Sequence, residues 1–346
     1  MDNQDILILK AQDVRSILAG RELEIIQTVR EAYASHTRGE SSLPHSVFLR
    51  FPDNERNRII GLPAYLGGQT NACGVKWVSS FPLNIEQGLD RASAVIVLNS
   101  VQTGRPEAVL EGSIISAQRT AASAAVAAQY LHRASQTNKA GFVGCGLINF
   151  EIARFLLAVF PNLKELFIYD LDPARANRFK EMCERTFEEI NVERSANINS
   201  LFRSCSLVSF ATTANAPHVT HAAELSPEHT ILHVSLRDLS PEIILSCDNI
   251  VDDVDHVLRA QTSVHLAEQL AGHRDFIRCT LGEIINGAAP ARTGNSAAVF
   301  SPFGLGILDV ALAQTVRDIG LRQDKGTVIS SFLPGSWEAE APSSGK

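Results

Sequence analysis

Residues 139–156 read KAGFVGCGLINFEIARFL and combine three features in one short stretch. An apolar strand that ends at Val143 is followed at once by Gly144 and Gly146, and an apolar helix comes next. In such a loop the first glycine permits a tight turn, the second lets the backbone approach a pyrophosphate, and the helix start favours negative charge. The strand–loop–helix order predicts a dinucleotide-binding loop, although Asn149 stands where a third glycine or an alanine is usual.

The next predicted strand ends at Asp170. An acid that binds the ribose is expected about 20 residues after the loop, and Asp170 fits that distance. A carboxylate at this position accepts hydrogen bonds from the adenosine ribose and repels a 2′-phosphate. Because the nearest following arginine is Arg175, the pattern favours NAD over NADP. The alternative is that Asp170 caps the next helix, but Asp172 before Pro173 already supplies a cap there.

From residue 140 onward, β-rich runs alternate with helical ones. The strands are predicted at AGFVG, LKELFIYD, SLVSFATT, TILHVSL and DNIVDD, with helices near residues 147–160 and 173–189. This alternation is typical of an α/β fold with a Rossmann-type, doubly wound parallel sheet.

The part of the chain before residue 130 has a different pattern. Residues 12–37 have helical spacing, and the β-rich runs VFLRF, RIIGLPAYL, ACGVKWVSSF, SAVIVLNS and EAVLEG precede an alanine-rich helix. A further helical segment follows Pro302 and is expected to return to the first domain. We therefore predict a discontinuous α+β domain from residues 1–125 and 306–335, a Rossmann domain from 126–305, and a flexible tail from 336–346.

The composition excludes several classes of partner. The net charge is -7 and basic residues are scattered, so neither nucleic acid nor a membrane surface is an expected partner. The six cysteines lie far apart without a CxxC pair, which indicates reduced thiols and a cytoplasmic protein. No metal is expected, and His218 and His221 are assigned a structural or surface role because no carboxylate is spaced to complete a metal site.

Four charged residues outside the loop are candidates for chemistry. Lys76 lies in the apolar strand GVKWVSS, Arg119 lies near the start of the alanine-rich helix, and Arg50 lies on a strand candidate. Each cation is suited to binding a carboxylate, with a solvated or structural ion pair as the alternative. Asp238 follows a predicted sheet strand, where an acid faces the ligand crevice, and its alternative role is a helix cap before Pro241.

The chain resembles the ornithine cyclodeaminase/μ-crystallin family along nearly its whole length. The matching blocks occur in the family's order: GVKWVSS, SAQRTAAS, VGCGLIN, IYD, SLRDLSPE, LGEIINGAAPART and SPFGLGILDVALA. The segments NRIIGLPAYLGG, LDRASAVIVLNS and GSIISAQRTAA are similar to a branch that helps make L-2,3-diaminopropionate for siderophores and other natural products. VSSFPLN replaces the Asn-Gly-His-Pro-like sequence that is usual in cyclodeaminases, and Ser46 replaces a basic residue, whose role Arg50 or His45 would take.

The resemblance implies a substrate-binding and dimerisation domain joined to an NAD-binding Rossmann domain, in a homodimer. It also implies roles for individual residues. Lys76 and Arg119 would hold substrate carboxylates with Arg50, Asp238 and Lys76 would be catalytic, and the cofactor would be bound by Thr120, Gly144, Gly146, Leu147, Ile148, Asp170 and Thr212.

The activity that this branch implies is NAD-dependent oxidative cleavage of N-(2-amino-2-carboxyethyl)-L-glutamate to L-2,3-diaminopropionate and 2-oxoglutarate. Two other enzyme activities stay open: an ornithine or lysine cyclodeaminase and an imine (ketimine) reductase. A protein that binds a nucleotide and a small molecule without turnover is a third possibility. The set of Lys76, Arg119 and Asp238 argues against a pure binding role, because a binder does not need an acid/base group.

Overall fold

The computed structural model describes residues 4–133, 137–221, 223–294 and 296–336. The chain forms two compact units: the first is Met1–Gly20, Glu40–Ser116 and Gly306–Lys346, and the second is Arg21–Gly39 and Ala117–Leu305. The predicted fold class, a Rossmann-type parallel sheet plus a discontinuous α+β unit, is confirmed. Within the described ranges, no helix is long and apolar enough to cross a bilayer.

Helices and strands are numbered in chain order. The helices are α1 (Ala11–Leu18), α2 (Glu22–Thr37), α3 (Ser113–Leu131), α4 (Leu147–Val159), α5 (Pro173–Thr186), α6 (Ile198–Ser204), α7 (Pro241–Leu245), α8 (Val254–Val257), α9 (Ser263–Ala271), α10 (Leu281–Ile285) and α11 (Gly306–Arg322), with a 3-10 helix at Pro82–Gln87. The strands are β1 (Ile6–Leu9), β2 (Ser41–Ser42), β3 (Val47–Phe51), β4 (Asn54–Leu66), β5 (Ala72–Ser80), β6 (Ala92–Asn99), β7 (Pro106–Glu111), β8 (Lys139–Val143), β9 (Glu165–Tyr169), β10 (Asn191–Arg194), β11 (Leu207–Phe210), β12 (Thr230–His233), β13 (Asp248–Val251), β14 (Ile277–Thr280), β15 (Ala298–Ser301) and β16 (Thr327–Ile329).

The first unit is built on a mostly antiparallel sheet in the order β16-β1-β7-β6-β5-β4-β2, with β3 also paired to β4. Only the β1–β7 pair among these is parallel. Ile96 and Leu98 alternate along β6 and pair with Leu110 and Ala108, so one face of the sheet is apolar and buried. Helix α11 packs on β4, β5 and β6. Burial of a large aliphatic side chain such as Ile96 or Leu98 contributes about 1.5–3 kcal/mol to the free energy of folding.

The second unit is built on a sheet in the order β10-β9-β8-β11-β12-β15-β13-β14, and every pair in it is parallel. Its strands are continuous apolar runs rather than alternating ones, because both faces of a parallel sheet are covered. All four residues of β11 and of β12 are buried. The five predicted strands are confirmed, and β10, β14 and β15 complete the sheet.

Helix α2 belongs to the second unit, whereas the sequence analysis predicts one domain over residues 1–125. It packs against α4 and α10, and the Tyr33 hydroxyl lies 2.7 Å from Ser123 Oγ on α3. The unit boundary on α3 falls after Ser116. The predicted helical stretch 12–37 is two helices, because Gly20 has a φ of 70° between them. The predicted tail lies outside the described residues from residue 337 onward.

Candidate active site

Three neighbouring strands of the parallel sheet end beside the predicted loop. β8 lies between β9 and β11, and β12 follows β11, so the chain order reverses next to β8. In open α/β sheets ligands bind outside the carboxyl ends of strands at such a reversal. Gly144 follows β8, Thr212 comes soon after β11, and Asp238 lies beyond the end of β12. The fold therefore brings these three predicted residues to one edge of the sheet.

The two glycines of the loop have different surroundings. Gly144 has a φ of 91°, and a Cβ there would lie 2.5 Å from the Ala211 carbonyl oxygen. Gly146 is the N-cap of α4 in an extended conformation, and a Cβ there would meet nothing within 4 Å. First-turn N–H groups of a helix lack intrahelical partners and attract anions. The open space above Gly146, at the start of a helix, therefore fits a dinucleotide pyrophosphate.

Asn149 occupies the third position of the fingerprint and ties the loop to the helix. Its Nδ2 donates to the carbonyl oxygens of Val143 at 2.8 Å and Gly144 at 2.6 Å. Its Oδ1 accepts a hydrogen bond from Ser209 Oγ on β11 at 2.7 Å. The side chain is fully buried. Asparagine thus replaces close glycine packing with three hydrogen bonds, a substitution that the motif alone does not predict.

Asp170 lies at the end of β9 and faces the loop. Its Oδ2 accepts from the backbone N–H of Cys145 at 2.8 Å, and its Oδ1 accepts from that of Asp172 at 2.9 Å. Burial, with the negative charge of Asp170, raises the pKa of the Cys145 thiol to about 12, so this cysteine is not a reactive thiolate.

The other predicted cofactor residues lie in the second unit on two helices. Leu147 and Ile148 open α4, with Leu147 57% exposed, and Thr120 is half-buried on α3. Their contact with a nucleotide stays a prediction.

Asp238 lies in a fully buried pocket of hydrogen-bond donors. Its Oδ1 accepts from the Thr212 hydroxyl and lies 3.1 Å from His218 Nε2. Its Oδ2 accepts from the Ser235 hydroxyl and lies 3.3 Å from His233 Nε2. Burial would raise the pKa of Asp238, but the hydrogen bonds from His218, His233 and Ser235 outweigh it and hold this pKa well below its usual range. The carboxylate is therefore ionised at neutral pH.

The sequence did not predict the contact between His218 and Asp238. The sequence predicts a structural or surface role for His218, because no carboxylate is spaced to complete a metal site. The two residues are 20 positions apart and meet only because β11 and β12 are neighbours in the sheet. The sequence does contain one indication of this contact: His218 and Asp238 each follow a predicted strand, and the two strands are adjacent and parallel in the sheet.

In the first unit, Lys76 is buried in an ion pair. Its Nζ lies 2.7 Å from Asp309 Oδ2 on α11 and 3.0 Å from Ser116 Oγ on α3. The side chains of Lys76 and Asp309 are 3% and 0% exposed. Asp309 was missed in the sequence, although an acid in the apolar run GILDVALA needs a partner. The charge of Lys76 is thus compensated within the protein.

In the second unit, Arg119 packs against a glycine of the SPFGLG block. A Cβ at Gly304 would lie 3.0 Å from Arg119 Nη1, and Gly304 has a φ of 93°. The Gly304 N–H donates to Asp252 at 2.7 Å, and Phe303 donates to the same carboxylate at 2.8 Å. Burial raises the pKa of Asp252, although these hydrogen bonds act in the opposite direction. The Gly304 turn therefore helps to fix the position of the Arg119 guanidinium.

Arg50, Arg58 and Arg91 form an arginine cluster in the first unit. Arg50 on β3 is the cross-strand partner of Arg58 on β4, and Arg91 accepts a backbone hydrogen bond from Phe81 at the end of β5. Burial lowers the pKa of Arg58 and of Arg91, and each is lowered further by its arginine neighbour. Arg58 Nε is buried without a hydrogen-bond partner. None of the three arginines forms an ion pair with another described residue.

Groups of three or more His, Cys, Asp or Glu side chains arranged to hold a metal ion are absent from the described ranges. All six cysteines are unpaired thiols.

Comparison with known proteins gives a match over almost the whole chain. The profile of the "Ornithine cyclodeaminase/mu-crystallin family" matches residues 4–323. The Staphylococcus aureus N-((2S)-2-amino-2-carboxyethyl)-L-glutamate dehydrogenase is 27% identical over 342 residues, which cover 95% of this chain and 100% of that protein.

Two solved structures have the same fold over nearly all of both chains. The Thermococcus litoralis Delta(1)-pyrroline-2-carboxylate reductase in complex with NADH and L-proline has a TM-score of 0.86 at 26% identity, with 93% of this chain and 99% of the other covered. An archaeal alanine dehydrogenase dimer with bound NAD has a TM-score of 0.82 at 27% identity, with coverage of 94% and 99%.

Proposed function

Because the chain belongs to the ornithine cyclodeaminase/mu-crystallin family, we propose that it oxidatively cleaves N-(2-amino-2-carboxyethyl)-L-glutamate to L-2,3-diaminopropionate and 2-oxoglutarate. The chain is an NAD-dependent oxidoreductase, as its relatives are. The S. aureus relative, which aligns over its full length, supports the substrate. We further propose that the product serves siderophore or other natural-product synthesis.

NAD is the cofactor, and the residues around the loop suit it. Gly144, Gly146 and the start of α4 would hold the pyrophosphate, and Asp170 would turn from the loop N–H groups to the ribose. The chemistry that bound NAD supplies is acceptance of a hydride from the α-carbon of the glutamate unit. We propose that Asp238 takes part in the accompanying proton transfers.

The observation that carries the substrate proposal is the arginine cluster. The proposed substrate has three carboxylates, whereas alanine and proline, named for the two structural neighbours, have one each. Arg58 and Arg91 are half-buried and Arg50 is exposed. Arginines that repel one another and form no ion pair with a described acid are stabilised when an anion binds. We propose that Arg50, together with Arg58 and Arg91, binds a carboxylate that smaller amino acids lack. Lys76 and Arg119 are proposed to hold the carboxylates common to amino-acid substrates.

The test is a turnover assay with NAD and N-(2-amino-2-carboxyethyl)-L-glutamate, with NADH followed by absorbance and products identified by mass spectrometry. Formation of NADH, 2-oxoglutarate and diaminopropionate is the expected result. Proline and ammonia from ornithine without net NADH would indicate a cyclodeaminase instead. Reduction of a cyclic imine with no cleavage activity would indicate a ketimine reductase.

The variant Arg58→Gln tests the arginine cluster within the same assay. Loss of a charge-assisted hydrogen bond of about 1.5–3 kcal/mol raises KM about 10- to 100-fold. Arg105→Gln is the matched control, because Arg105 lies in the same unit and donates to the Pro334 carbonyl. A KM for Arg58→Gln within twofold of wild type would show that the arginine cluster does not bind the substrate.

We also propose that the protein is a cytoplasmic homodimer that pairs through the first unit. Val47, Gly61 and Trp77 lie in one cross-strand row of β3, β4 and β5, and Trp77 packs over Gly61. Val47 is 63% exposed, Leu49 45% and Trp77 42%, and the alanine dehydrogenase neighbour is a dimer. An apolar row of this kind is suited to a second copy of the chain. Six free thiols support a reducing compartment.

A further inference from the structure

The carboxylate of Asp238 is enclosed by its own hydrogen bonds. It is 0% exposed, and each oxygen has two contacts: Thr212 and His218 on Oδ1, Ser235 and His233 on Oδ2. A base must come within about 2.6–3.2 Å of the proton that it accepts. An acid that is enclosed in this way reaches a substrate or a water most directly through a neighbouring group.

His218 is the neighbour with access to solvent. Its side chain is 39% exposed, while Nε2 lies 3.1 Å from Asp238 Oδ1. An ionised carboxylate only accepts hydrogen bonds, so the neutral ring must carry its proton on Nε2. Nδ1 is then the basic nitrogen of the ring.

The backbone holds the two side chains in this arrangement. The N–H groups of His218 and Val219 both donate to the Asp238 carbonyl oxygen, at 3.0 and 2.9 Å. Ser240 N–H donates to the Val219 carbonyl oxygen at 2.9 Å, and Val219 and Leu239 form a parallel bridge. The segments that follow β11 and β12 are thus tied together at the carboxyl edge of the sheet, beside Gly144.

We propose that His218 and Asp238 form an acid/base pair in which His218 Nδ1 exchanges the proton with substrate or water. Asp238 is the positioning residue, which fixes the ring tautomer and compensates the imidazolium charge. The proposal rests on the proposed function, because it assigns the proton transfers of that reaction.

The atoms of the reaction balance with water as the second reactant. His218 Nδ1 takes the proton of the secondary ammonium of the substrate, and the freed lone pair forms the C=N bond as the α-hydrogen leaves as hydride. The α-carbon is oxidised with NAD as the hydride acceptor, and His218 releases its proton to solvent. Water then adds to the C=N carbon and loses a proton to His218, which passes it to the nitrogen. The C–N bond breaks as the new hydroxyl becomes the C=O of 2-oxoglutarate, and the hydroxyl proton goes to the amine of diaminopropionate.

A second imidazole contacts Asp238. His233 on β12 is fully buried, with Nε2 3.3 Å from Asp238 Oδ2 and 3.2 Å from the Asp238 backbone nitrogen. Arg237 precedes Asp238 in the chain, and its guanidinium donates to the Ala260 carbonyl oxygen at 2.7 Å. Because His233 is sealed from solvent, His218 is the exposed imidazole in contact with Asp238.

The kinetic test compares His218→Gln with the control His221→Gln. Glutamine keeps an N–H donor for Asp238 but accepts no proton, and His221 is an exposed histidine of the same segment that contacts Thr220. We expect kcat of His218→Gln to fall about 10²- to 10⁴-fold, with the dissociation constant of NADH unchanged. In wild type and His221→Gln, kcat/KM should decrease at acidic pH as the imidazole protonates, and this decrease should be absent in His218→Gln. A variant His218→Gln with wild-type kcat and the same acidic decrease would overturn the proposal.

A second readout does not depend on turnover. The ¹⁵N chemical shifts of the His218 ring in the ligand-free protein should show a protonated Nε2 and a bare Nδ1 at alkaline pH. In Asp238→Asn the carboxylate acceptor is lost, so we expect a mixture of both tautomers. The same shifts in both proteins would refute the pair. If wild type fails to cleave the proposed substrate, the substrate proposal fails, and the ¹⁵N measurement still decides whether the pair exists.

Discussion

At the residue scale, substitutions at the two loop glycines, Gly144 and Gly146, should affect folding and cofactor binding separately. A Cβ at Gly146 meets no atom of the protein, and the extended backbone accepts alanine. We expect Gly146→Ala to change the free energy of unfolding by less than about 1 kcal/mol while the dissociation constant of NAD rises tenfold or more, because the Cβ occupies the space of the pyrophosphate. Isothermal titration calorimetry and urea unfolding measure the two effects.

Gly144→Ala is the control for that variant. Its Cβ would lie 2.5 Å from the Ala211 carbonyl oxygen at a φ of 91°, so the change should destabilise the fold itself by more than the ~1–2 kcal/mol of left-handed backbone strain. If Gly146→Ala binds NAD as wild type does, the loop does not hold the pyrophosphate.

The Lys76–Asp309 pair is a second feature at this scale. Asp309→Asn would remove the carboxylate charge that lies 2.7 Å from the buried ammonium of Lys76, and breaking a buried ion pair in this way costs about 3–5 kcal/mol in the free energy of unfolding. The double variant Lys76→Met/Asp309→Leu should recover most of this loss, since neither charge remains. Glu165→Gln, in the half-exposed Lys139–Glu165 pair at 3.4 Å, is the control and should cost about 1 kcal/mol or less. Equal losses for Asp309→Asn and Glu165→Gln would contradict the prediction.

The residues of the site differ in how far sequence could predict them. The glycine loop and Asp170 are local patterns, because a strand, a turn and a helix follow one another in the chain. The pairing of Lys76 with Asp309 joins positions 233 apart, and that of His218 with Asp238 depends on which strands are neighbours. A single sequence gives the residue types for these pairs but not the register or strand order that brings them together.

At the element scale, Asp253 joins helix α8 to helix α2. Its Oδ1 accepts from the backbone N–H and Nδ1 of His256, both at 2.8 Å, and Oδ2 lies 3.3 Å from His36 Nε2. Burial opposes ionisation of Asp253, but hydrogen bonds from His256 and His36 hold its pKa well below the usual range. The hydrogen bond that His256 donates to Asp253 raises the pKa of His256 despite its burial.

These two shifts set the pH range in which the contact is strongest. The depressed pKa of Asp253 contributes stability above its unfolded value of about 4, which is lost as the pH falls. The raised pKa of His256 contributes stability below its unfolded value of about 6.5, which is lost as the pH rises through the folded value. Asp253→Asn should therefore lower the urea midpoint more at about pH 5.5 than at about pH 8.5.

Asp275→Asn provides the comparison, because the His273–Asp275 pair is exposed and 3.6 Å apart. Its urea midpoint should match wild type at both pH values. A loss in Asp253→Asn that is independent of pH would show that capping of α8, not the charge on His256, is the source of the stability.

The helices and strands differ in how well the sequence predicts them. The long strands β4 and β5 and the central strands of the parallel sheet have strong apolar patterns and were predicted. β1 and β16 are four and three residues long and pair across nearly the whole length of the chain, and a local pattern does not show this pairing. Helix α2 lies in the second unit, and its apolar face alone does not say which partner covers it.

At the scale of the whole molecule, the exposed row of Val47, Gly61 and Trp77 predicts the oligomeric state. Trp77→Glu places a charge at the β5 end of the row and should convert a dimer into monomers that keep the far-ultraviolet circular dichroism of wild type. Leu270→Glu is the control, because Leu270 is 57% exposed on α9 in the second unit. Sedimentation velocity at several protein concentrations distinguishes the two states. A dimeric Trp77→Glu variant would place the interface elsewhere.

The sheet of the first unit is completed by β16 and covered by α11, which come late in the chain. Strand β16 pairs with β1, and α11 covers β4, β5 and β6 and carries the partner of Lys76. During synthesis on the ribosome, the early strands are made long before residue 309 leaves the exit tunnel. Until then neither Asp309 nor the rest of α11 has been released to cover the apolar face of the sheet, so we expect the nascent first unit to fold late. A ribosome stalled before α11 should carry a chain whose first unit is cut rapidly by a protease, while the protein released from the ribosome should be resistant.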